Sequence, residues 1–361
     1  MPVDRPPSLH LAAEIGGPEP AAAAPAGTGS RSAVEHRLAM VRLAEEGLLD
    51  FVTLADSFAG SGPDALAVLA RIAPPTRRIG LVPAVTTTHT EPFHVQAAVA
   101  TLDWVSRGRA GWKVDVSTAE AEARLLGRRP ALPREDAWRE AGEVVEAARR
   151  LWDSWEDDAE IRDTSTGRFI DRDKLHHVDF EGATFSVRGP SIVPRPPQGH
   201  PVTVVDATEE AVREAAARHA DVVLVRAATP AQAAAFRDDL RRRSAAHGRH
   251  PQELRVLVSL TVDLSGAEPR PGGPAPTGTH FSGGPVELAD LIAAWHRGGA
   301  VDGFHLVPLD PRRDLERVVN GTVALLQHRG LFRTFYPGGT LRDHLGLARP
   351  ANRYASVQGA S

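Results

Sequence analysis

The stretch PVTVVDATEEAVREAAARHADVVLVRA, residues 201–227, decides the fold of this chain. It starts with an apolar strand (201–207), continues with an alanine-rich helix (209–220) and ends with a second apolar strand (221–227). Strands that are apolar on both faces are typical of parallel sheets, in which a helix carries the chain from one strand to the next. The stretch therefore predicts one β–α–β unit of a parallel sheet.

The same alternation of strand and helix extends along the chain in both directions. Further strands are predicted over 8–15, 50–58, 78–88, 108–117, 253–264 and 301–309, with helices over 32–47, 63–71, 92–105, 135–152, 230–248 and 285–297. About eight strands with intervening helices predict an α/β fold of the TIM type, a (β/α)8 barrel. A doubly wound sheet is the alternative, but no Gly-x-Gly-x-x-Gly follows the first strand, which favours the barrel.

Three segments depart from this alternation. Residues 156–200 are predicted to be an insertion made of a polar loop and an irregular hairpin, and 265–284 is a Pro/Gly-rich segment with the composition of a linker. A helical tail is predicted over 315–361. We expect residues 1–361 to form a single (β/α)8 barrel domain that carries these additions.

The composition narrows the classes of function. The 361 residues are 42% hydrophobic and 24% charged with a formal net charge of −4, which gives no electrostatic reason to expect a nucleic-acid or membrane partner. The absence of cysteine excludes disulfides, thiolate zinc sites and cysteine nucleophiles. No apolar run reaches the ~20 residues that cross a bilayer, and the first residues lack a signal-peptide core, so we expect a soluble, cytoplasmic protein.

Polar residues follow four of the predicted strands at their carboxyl ends, the rim that carries the active site of a barrel. The four groups are Asp56 and Ser57; Thr86, Thr87, Thr88 and His89; Lys113, Asp115 and Ser117; and Asp206 and Thr208. Their convergence on one rim predicts a polar pocket. The chain contains no H-E-x-x-H, Gly-x-Ser-x-Gly or P-loop motif, so the motifs give no reason to expect a metal site.

Each group also has a purely structural interpretation. Asp56 can cap the next helical segment, and a threonine run such as 86–88 can reflect β-propensity alone. Lys113 and Asp115 can pair with each other on a solvated face, and Asp206 can cap the helix that follows it. Spacing alone leaves these alternatives open.

The segment EPFHVQAAVATLDWVSRGRAGWKVDVS (91–117) resembles the bacterial-luciferase-like flavin-dependent monooxygenases, in particular the branch that contains nitrilotriacetate monooxygenase. Similar text continues in order over nearly the whole chain. The further segments are RLWDSWEDDA (150–159), DFEGATFSVRGPSIVPRPPQGHPV (179–202), AARHADVV (216–223), DGFHLVP (302–308) and LQHRGLFRTFYPGGTLRDHLGL (326–347).

The resemblance implies a TIM-type barrel that binds FMN at its carboxyl-terminal rim. It further implies that reduced FMN (FMNH2) comes from a separate flavin reductase, and that a flavin C4a-peroxide formed with O2 oxygenates a small organic substrate. No metal is needed in this chemistry, because the cofactor carries it. The resemblance also implies a homodimer.

Site residues follow from the same resemblance, one position at a time. Asp56 corresponds to the family's acid near the flavin after the second strand, and the run 86–88 corresponds to a hydroxyl after the third strand. Other positions depart from the family: Lys113 stands where it has asparagine, and Arg134 and Trp138 stand where it has histidine and tyrosine.

The turn that binds the FMN phosphate departs most clearly. Where the family reads Ala-Gly-x-Ser, this chain has Asp206, Ala207, Thr208 and Glu209, so a carboxylate replaces the serine. One such charge opposes phosphate binding by ~3–4 kcal/mol at ~4–5 Å and an effective dielectric constant of ~20. Arg134 and Lys113 are the residues expected to compensate.

Two functions therefore remain open at this point. The first is an FMN-dependent monooxygenase in which these cations restore flavin binding. The alternative is a non-catalytic or weakly flavin-binding paralogue, in which Arg134 and Glu209 pair and fill the phosphate site themselves. The segment 265–284 is also shorter than in the family, which implies a reduced lid over the site.

Overall fold

The computed structural model of the protein describes residues 9–16, 29–60, 62–266 and 279–355. Strands and helices alternate along this part of the chain. The strands are β1 (His10–Glu14), β2 (Phe51–Leu54), β3 (Gly80–Thr86), β4 (Gly111–Asp115), β5 (Glu160–Asp163), β6 (Arg168–Ile170), β7 (Phe180–Glu181), β8 (Ser186–Val187), β9 (Val202–Asp206), β10 (Val222–Val225), β11 (Arg255–Asp263), β12 (His280–Ser282) and β13 (Gly303–Pro308). The α-helices are α1 (Gly29–Glu46), α2 (Ala65–Ile72), α3 (Pro92–Ser106), α4 (Glu120–Leu126), α5 (Arg134–Asp153), α6 (Glu210–His219), α7 (Pro230–Ala246), α8 (Pro285–Arg297), α9 (Pro311–Arg317), α10 (Ala324–His328) and α11 (Leu341–His344). A π-helical stretch, Val318–Val323, joins α9 to α10, and Arg172–Lys174 and Pro251–Glu253 are short 3-10 helices.

Eight parallel strands close into a barrel. The hydrogen-bonded order is β1, β2, β3, β4, β9, β10, β11 and β13, and β13 pairs back with β1 in parallel register, His10 opposite Gly303. Helices connect the successive strands of this ring, so the predicted (β/α)8 barrel is confirmed.

Local sequence explains why individual elements form. In α2 the residues Ala65, Val68, Leu69 and Ile72 recur at helical spacing and are all buried. The helix begins after Asp64, whose carboxylate accepts the Ala67 N–H at 2.8 Å. Two prolines follow the end of the helix at 74 and 75 and prevent its continuation.

The additions to the barrel differ in detail from the prediction. The segment 156–200 holds two antiparallel hairpins, β5–β6 and β7–β8, where one was predicted. Helix α4 was not predicted, and β12 continues the sheet beside the end of β11. Part of the Pro/Gly-rich segment, 267–278, and the end of the tail, 356–361, lie outside the described residues.

The barrel interior is apolar in its lower half, where the strands begin. The buried interior cluster comprises Ala12, Phe51, Val82, Val202, Val204, Val222, Leu224 and Leu257 from the strands and Leu341, Leu345 and Leu347 from the tail. The tail thus closes the amino-terminal end of the barrel. Gly80 makes room for it, because a Cβ there would lie 2.6 Å from Leu341 Cδ1.

Buried ion pairs fix this closing segment. Arg342 donates to the His200 carbonyl at 2.8 Å and to Asp221 Oδ2 at 3.2 Å. Arg333 donates to Asp50 Oδ1 at 2.8 Å. No described helix is both long enough and apolar enough to cross a membrane.

Candidate functional site

A polar layer lies above the apolar interior, towards the carboxyl ends of the strands. His305 occupies the centre of its hydrogen-bond chain: hydrogen bonds join its Nε2 to Thr53 Oγ1 at 2.8 Å and its Nδ1 to Ser259 Oγ at 3.1 Å. Burial, and after it the charge of Lys113, lowers the pKa of His305 to about 3. The imidazole is therefore neutral at neutral pH.

Lys113 faces this layer from β4. Burial raises the pKa of Glu14, and the nearby Lys113 ammonium opposes that rise. Lys113 forms no ion pair with Asp115, whose Oδ1 instead accepts the Val116 N–H at 2.8 Å. Lys113 is half-buried and lies near the Glu14 carboxylate of β1. It thus supplies a positive charge to the barrel mouth.

A cleft of about 610 Å³ opens beside the mouth, at the ends of β2 and β3. Asp56 lines it, with Oδ1 accepting the Ser57 N–H at 2.8 Å and Oδ2 accepting the Ala65 N–H at 2.7 Å. Asp64 occupies the N-cap position of α2, and Asp56 supports the start of this helix through the Ala65 N–H while its carboxylate forms part of the cleft wall. A cavity of this size matches those that hold cofactors and substrates.

The three threonines of the run 86–88 face different surroundings. Thr86 lines the cleft. The Thr87 hydroxyl donates to the Asp115 carbonyl at 3.1 Å, and the Thr88 hydroxyl accepts the Ser117 N–H at 3.1 Å. Thr87 and Thr88 are both buried and tie the end of β3 to the segment after β4.

His89 lines the same cleft in an unusual conformation. Its φ is 67°, in the left-handed region that residues other than glycine seldom adopt. The side chain is 6% exposed, and neither ring nitrogen has a partner among the described residues. Buried nitrogens of this kind ordinarily have hydrogen-bond partners, so the cleft wall is suited to a polar ligand.

An ion pair joins the start of α5 to the turn 206–209, which is predicted to bind phosphate. Arg134 Nε lies 2.7 Å from Glu209 Oε2, and Arg134 Nη2 donates to Glu209 Oε1 at 2.9 Å. Glu209 occupies the N-cap position of α6 without making a capping hydrogen bond. The arginine and the glutamate that were predicted to influence phosphate binding therefore bind each other in this structure.

Thr208 and Asp206 form a second small network at this turn. Asp206 Oδ1 accepts the Thr208 N–H at 3.1 Å and the Thr208 hydroxyl at 2.8 Å. Arg226 Nη2 donates to Asp206 Oδ2 at 2.9 Å. The interpretation of Asp206 as the N-cap of the following helix is wrong, because Glu209 occupies that position and Asp206 stabilises the preceding turn.

Trp138 lies one helical turn after Arg134 and is buried. It lines a groove of about 540 Å³ between α5 and α6, on the outer side of the barrel wall. Its indole Nε1 is buried and has no partner among the described residues. Trp138 thus lies near the start of α6 and away from the barrel interior.

The predicted site residues share one rim, because β2, β3, β4 and β9 are neighbours in the ring. Within that rim they have three separate surroundings. Asp56 and Thr86 line the cleft; Lys113 faces the barrel mouth; Arg134, Trp138, Thr208 and Glu209 lie around the start of α6. Thr87 and Thr88 hold neighbouring segments together.

Sequence reasoning missed five residues of the polar layer. They are Glu14, Thr53, Arg226, Ser259 and His305, each placed at the barrel mouth by Lys113, by Asp206 or by a hydrogen bond to His305. The available signal was a charged or polar residue within an otherwise apolar predicted strand, as with Glu14 in SLHLAAEI and His305 in VDGFHLVPL.

Comparisons with known proteins agree with this geometry. The family model for luciferase-like monooxygenases matches residues 18–265. Nitrilotriacetate monooxygenase component A of Aminobacter aminovorans is 34% identical, over 89% of this chain and 92% of the relative. N-acetyl-S-(2-succino)cysteine monooxygenase of Bacillus subtilis (strain 168) is 31% identical, over 88% of this chain and 90% of the relative.

Solved structures share the fold. A long-chain alkane monooxygenase superposes with a TM-score of 0.84 at 23% identity, covering 97% of this chain and 99% of that chain. A riboflavin lyase, solved with modified FMN and riboflavin, superposes with a TM-score of 0.80 at 22% identity, covering 95% of this chain and 97% of that chain. The predicted resemblance is confirmed, and the chain belongs to the luciferase-like monooxygenase family.

Proposed function

We propose that this protein is the oxygenase of a two-component system, which takes reduced FMN from a separate reductase and uses it with O2 to oxygenate a small organic substrate. The observation that carries the proposal is the rim itself: a cleft of about 610 Å³ lies in the same ring of strands as the turn that precedes α6. The strands β3 and β9 are two steps apart in that ring, roughly 10 Å. An extended flavin mononucleotide spans such a distance.

Unsatisfied donors around the rim fit the cofactor. Among the described residues no acceptor is assigned to the backbone N–H groups of Glu210 and Ala211 at the start of α6, where an anion is favoured. The buried Trp138 Nε1 beside them also lacks an acceptor. His89 supplies unpartnered nitrogens at the cleft end of the site.

Each residue then has a defined task toward the cofactor. The N–H groups that open α6 and the Arg134 guanidinium would hold the phosphate, which requires Arg134 to exchange the Glu209 carboxylate for the phosphate oxygens. Asp56 and Thr86 would line the binding site of the flavin ring system, and Lys113 would place a positive charge at the mouth of the barrel. When bound, reduced flavin supplies the electrons that activate dioxygen.

A carboxylate-bearing compound is the proposed substrate class. Lys113 at the mouth and Arg128 at the cleft form no ion pair with a described residue. The names of two relatives specify carboxylate-bearing substrates, nitrilotriacetate and N-acetyl-S-(2-succino)cysteine. A cytoplasmic homodimer served by a flavin reductase completes the proposal.

An anaerobic titration tests it. We expect purified protein to bind FMNH2 with a micromolar dissociation constant and oxidised FMN more weakly, measured by the change in flavin absorbance and fluorescence. Absence of FMNH2 binding at millimolar flavin would refute the proposal. Aerobic oxidation of reduced flavin in the presence of candidate carboxylates then identifies the substrate by product analysis.

The ion pair between Arg134 and Glu209 supports a second candidate, a paralogue of the family that binds flavin weakly or not at all. In that case the pair occupies the phosphate position permanently. The two candidates differ in one measurement: only the enzyme binds FMNH2 with its native Glu209 in place. A Glu209→Ser variant that gains binding from an inactive parent would favour the paralogue.

A further inference from the structure

A cleft of about 660 Å³ lies at the opposite end of the barrel, where β3 and β4 begin. Four arginines line it: Arg77, Arg78, Arg107 and Arg109. The remaining lining residues are apolar or neutral, and no described acidic side chain is among them. In a chain with a formal net charge of −4, this is a local concentration of positive charge.

Arg109 forms the buried floor of the cleft, at 3% exposure. Its guanidinium donates only to neutral oxygens: the carbonyls of Ser106 at 2.7 Å and Ile79 at 2.8 Å are examples. The other acceptors are Thr76 Oγ1 and the carbonyls of Ala73 and Thr76. Arg109 therefore has no carboxylate partner among the described residues, and its buried charge is not neutralised by contact.

The other three arginines surround the opening. Arg77 and Arg107 are exposed, and their side chains have no hydrogen-bond or ion-pair partner in the described part of the chain. The Arg78 side chain donates one hydrogen bond, from Nη1 to the Gly338 carbonyl at 3.1 Å. Most of their donors are therefore available to a ligand.

Three acids near this cleft accept hydrogen bonds from neutral groups. Asp103 accepts the Ala110 N–H at 3.0 Å and the Gln198 side-chain amide at 2.6 Å. Glu45 Oε1 accepts the N–H groups of Arg77 at 2.8 Å, Arg78 at 2.6 Å and Ile79 at 3.1 Å. Asp343 Oδ2 accepts two N–H groups of the loop that includes Gly339. None of these carboxylates forms an ion pair with a guanidinium of the cleft.

We propose that this arginine cleft is a binding site for a phosphate-class anion, such as pyrophosphate or a small phosphate ester. Guanidinium groups match phosphate oxygens with paired, charge-assisted hydrogen bonds, and several converging groups favour a multiply charged anion. The volume suits a small molecule. The site is separate from the flavin rim, so it does not depend on the function proposed above.

Isothermal titration of the full chain with inorganic pyrophosphate tests the site. We expect saturable one-to-one binding with a dissociation constant below about 1 mM. The double variant Arg77→Gln/Arg107→Gln is expected to bind at least about tenfold more weakly, because each lost guanidinium removes charge-assisted hydrogen bonds. Arg172→Gln, an exposed arginine of the insertion, is the matched control and is expected to leave binding unchanged.

Three results would overturn the proposal. They are no saturation by pyrophosphate at millimolar concentration, equal affinity of the double variant and the native chain, and equal binding of succinate, which carries the same type of charge on carboxylates. Chloride at matched ionic strength controls for screening. Circular dichroism of the double variant confirms that it is folded, and Arg109 is left unchanged because its contacts hold two connections together.

Discussion

The two ends of the barrel are built from the same eight strands but in opposite ways. At the amino-terminal end, Leu341 and its neighbours fill the interior, and buried arginine–aspartate pairs satisfy the charges around them. At the carboxyl-terminal end the interior becomes polar, Lys113 forms no ion pair with a described residue, and the His89 ring nitrogens in the neighbouring cleft have no hydrogen-bond partner among the described residues. The difference teaches that the barrel interior is filled for stability at the amino-terminal end and retains unsatisfied groups at the carboxyl-terminal end. The arginine cleft of the amino-terminal end lies outside that filled interior.

The pKa shifts show how burial and charge partners compete at individual residues of the two ends. At Asp50 of the closed end, charge partners overcome burial: Arg333 and His10 hold the pKa of this carboxyl far below its usual range, although burial alone would raise it. At Asp103 of the same end burial prevails and raises the pKa to about 6. At the open end burial dominates: it raises the pKa of Glu14 and lowers that of His305 to about 3. Asp50 is therefore stabilised in its charged form, whereas the shifts of Glu14 and His305 favour their neutral forms.

The largest expected effect is a loss of stability on disrupting the packing at the closed end. Leu341→Ala removes a fully buried side chain that packs against Gly80, so the free energy of unfolding is expected to fall by about 2–5 kcal/mol. Urea denaturation followed by circular dichroism measures it. Leu309→Ala, exposed at the other end of the barrel, is the control and is expected to change stability by less than about 0.5 kcal/mol. A similar loss from both variants would remove the distinction between the ends.

The second test concerns the buried imidazole at the open end. Unfolded His305 takes up a proton near its ordinary pKa of about 6.5, whereas the native residue does so only near pH 3. The unfolded state thus binds more protons between these values, and stability falls as pH decreases from about 6.5 toward 3.

We expect His305→Gln to reduce this pH dependence by up to one linked proton, about 1.4 kcal/mol per pH unit. Urea denaturation of both proteins at several values between about pH 4 and pH 6 measures the two slopes, which do not depend on any constant loss of stability caused by the substitution. If the free energy of unfolding changes with pH equally in the native chain and in His305→Gln, the His305 imidazole is not held neutral by the fold.

The third test changes the ion pair beside α6. Glu209→Ser is expected to tighten FMNH2 binding by about tenfold or more, because it removes a negative charge and frees Arg134. The side chains of Arg134 and Glu209 are both about half exposed. Solvent screening therefore reduces the repulsion between Glu209 and the phosphate below the ~3–4 kcal/mol calculated without screening. Anaerobic flavin titration measures the change.

Two further variants test whether the change in FMNH2 affinity depends on Arg134. Arg134→Gln is expected to weaken FMNH2 binding, and Arg139→Gln, which pairs with Asp136 on the same helix, is the matched control. Unchanged affinity in Glu209→Ser would mean that the phosphate does not reach this turn.

The smallest expected effects separate two adjacent hydroxyls. Thr87→Val removes the hydrogen bond to the Asp115 carbonyl and is expected to lower stability by about 1 kcal/mol without changing flavin affinity. Thr86→Val is expected to weaken flavin binding severalfold with little change in stability, because its side chain lines the cleft. Denaturation and titration of the two variants are compared directly. The reverse pattern would move the cofactor contact to Thr87.

The fold was accessible from the sequence because its evidence is local. Each buried strand is an apolar run, and the helix predicted over 285–297 coincides with α8 because Pro285 and Gly298 mark both ends. The two hairpins of the insertion were harder to predict. The strands β5 and β6 are short and largely exposed, so hydrophobic periodicity is absent there.

The site was only partly accessible, for a geometric reason. Strand alternation does not extend beyond the end of β3, so it cannot tell which threonine of 86–88 faces the cleft. The left-handed turn at His89 reorients the chain at that point. Arg134 and Glu209 were predicted to influence phosphate binding, but the hydrogen bond between them, across 75 positions of sequence, depends on the packing of α5 against α6.

The pairing of β1 with β13 has a consequence for biosynthesis. His10 finds its partner Gly303 only after the last strand has left the ribosome, so the nascent chain cannot complete the ring during most of translation. Until then the edge of β1 that will pair with β13, and the edge of the most recently added strand, present unpaired backbone N–H and C=O groups. Slow synthesis of the segment before β13 is therefore expected to increase the demand for chaperones.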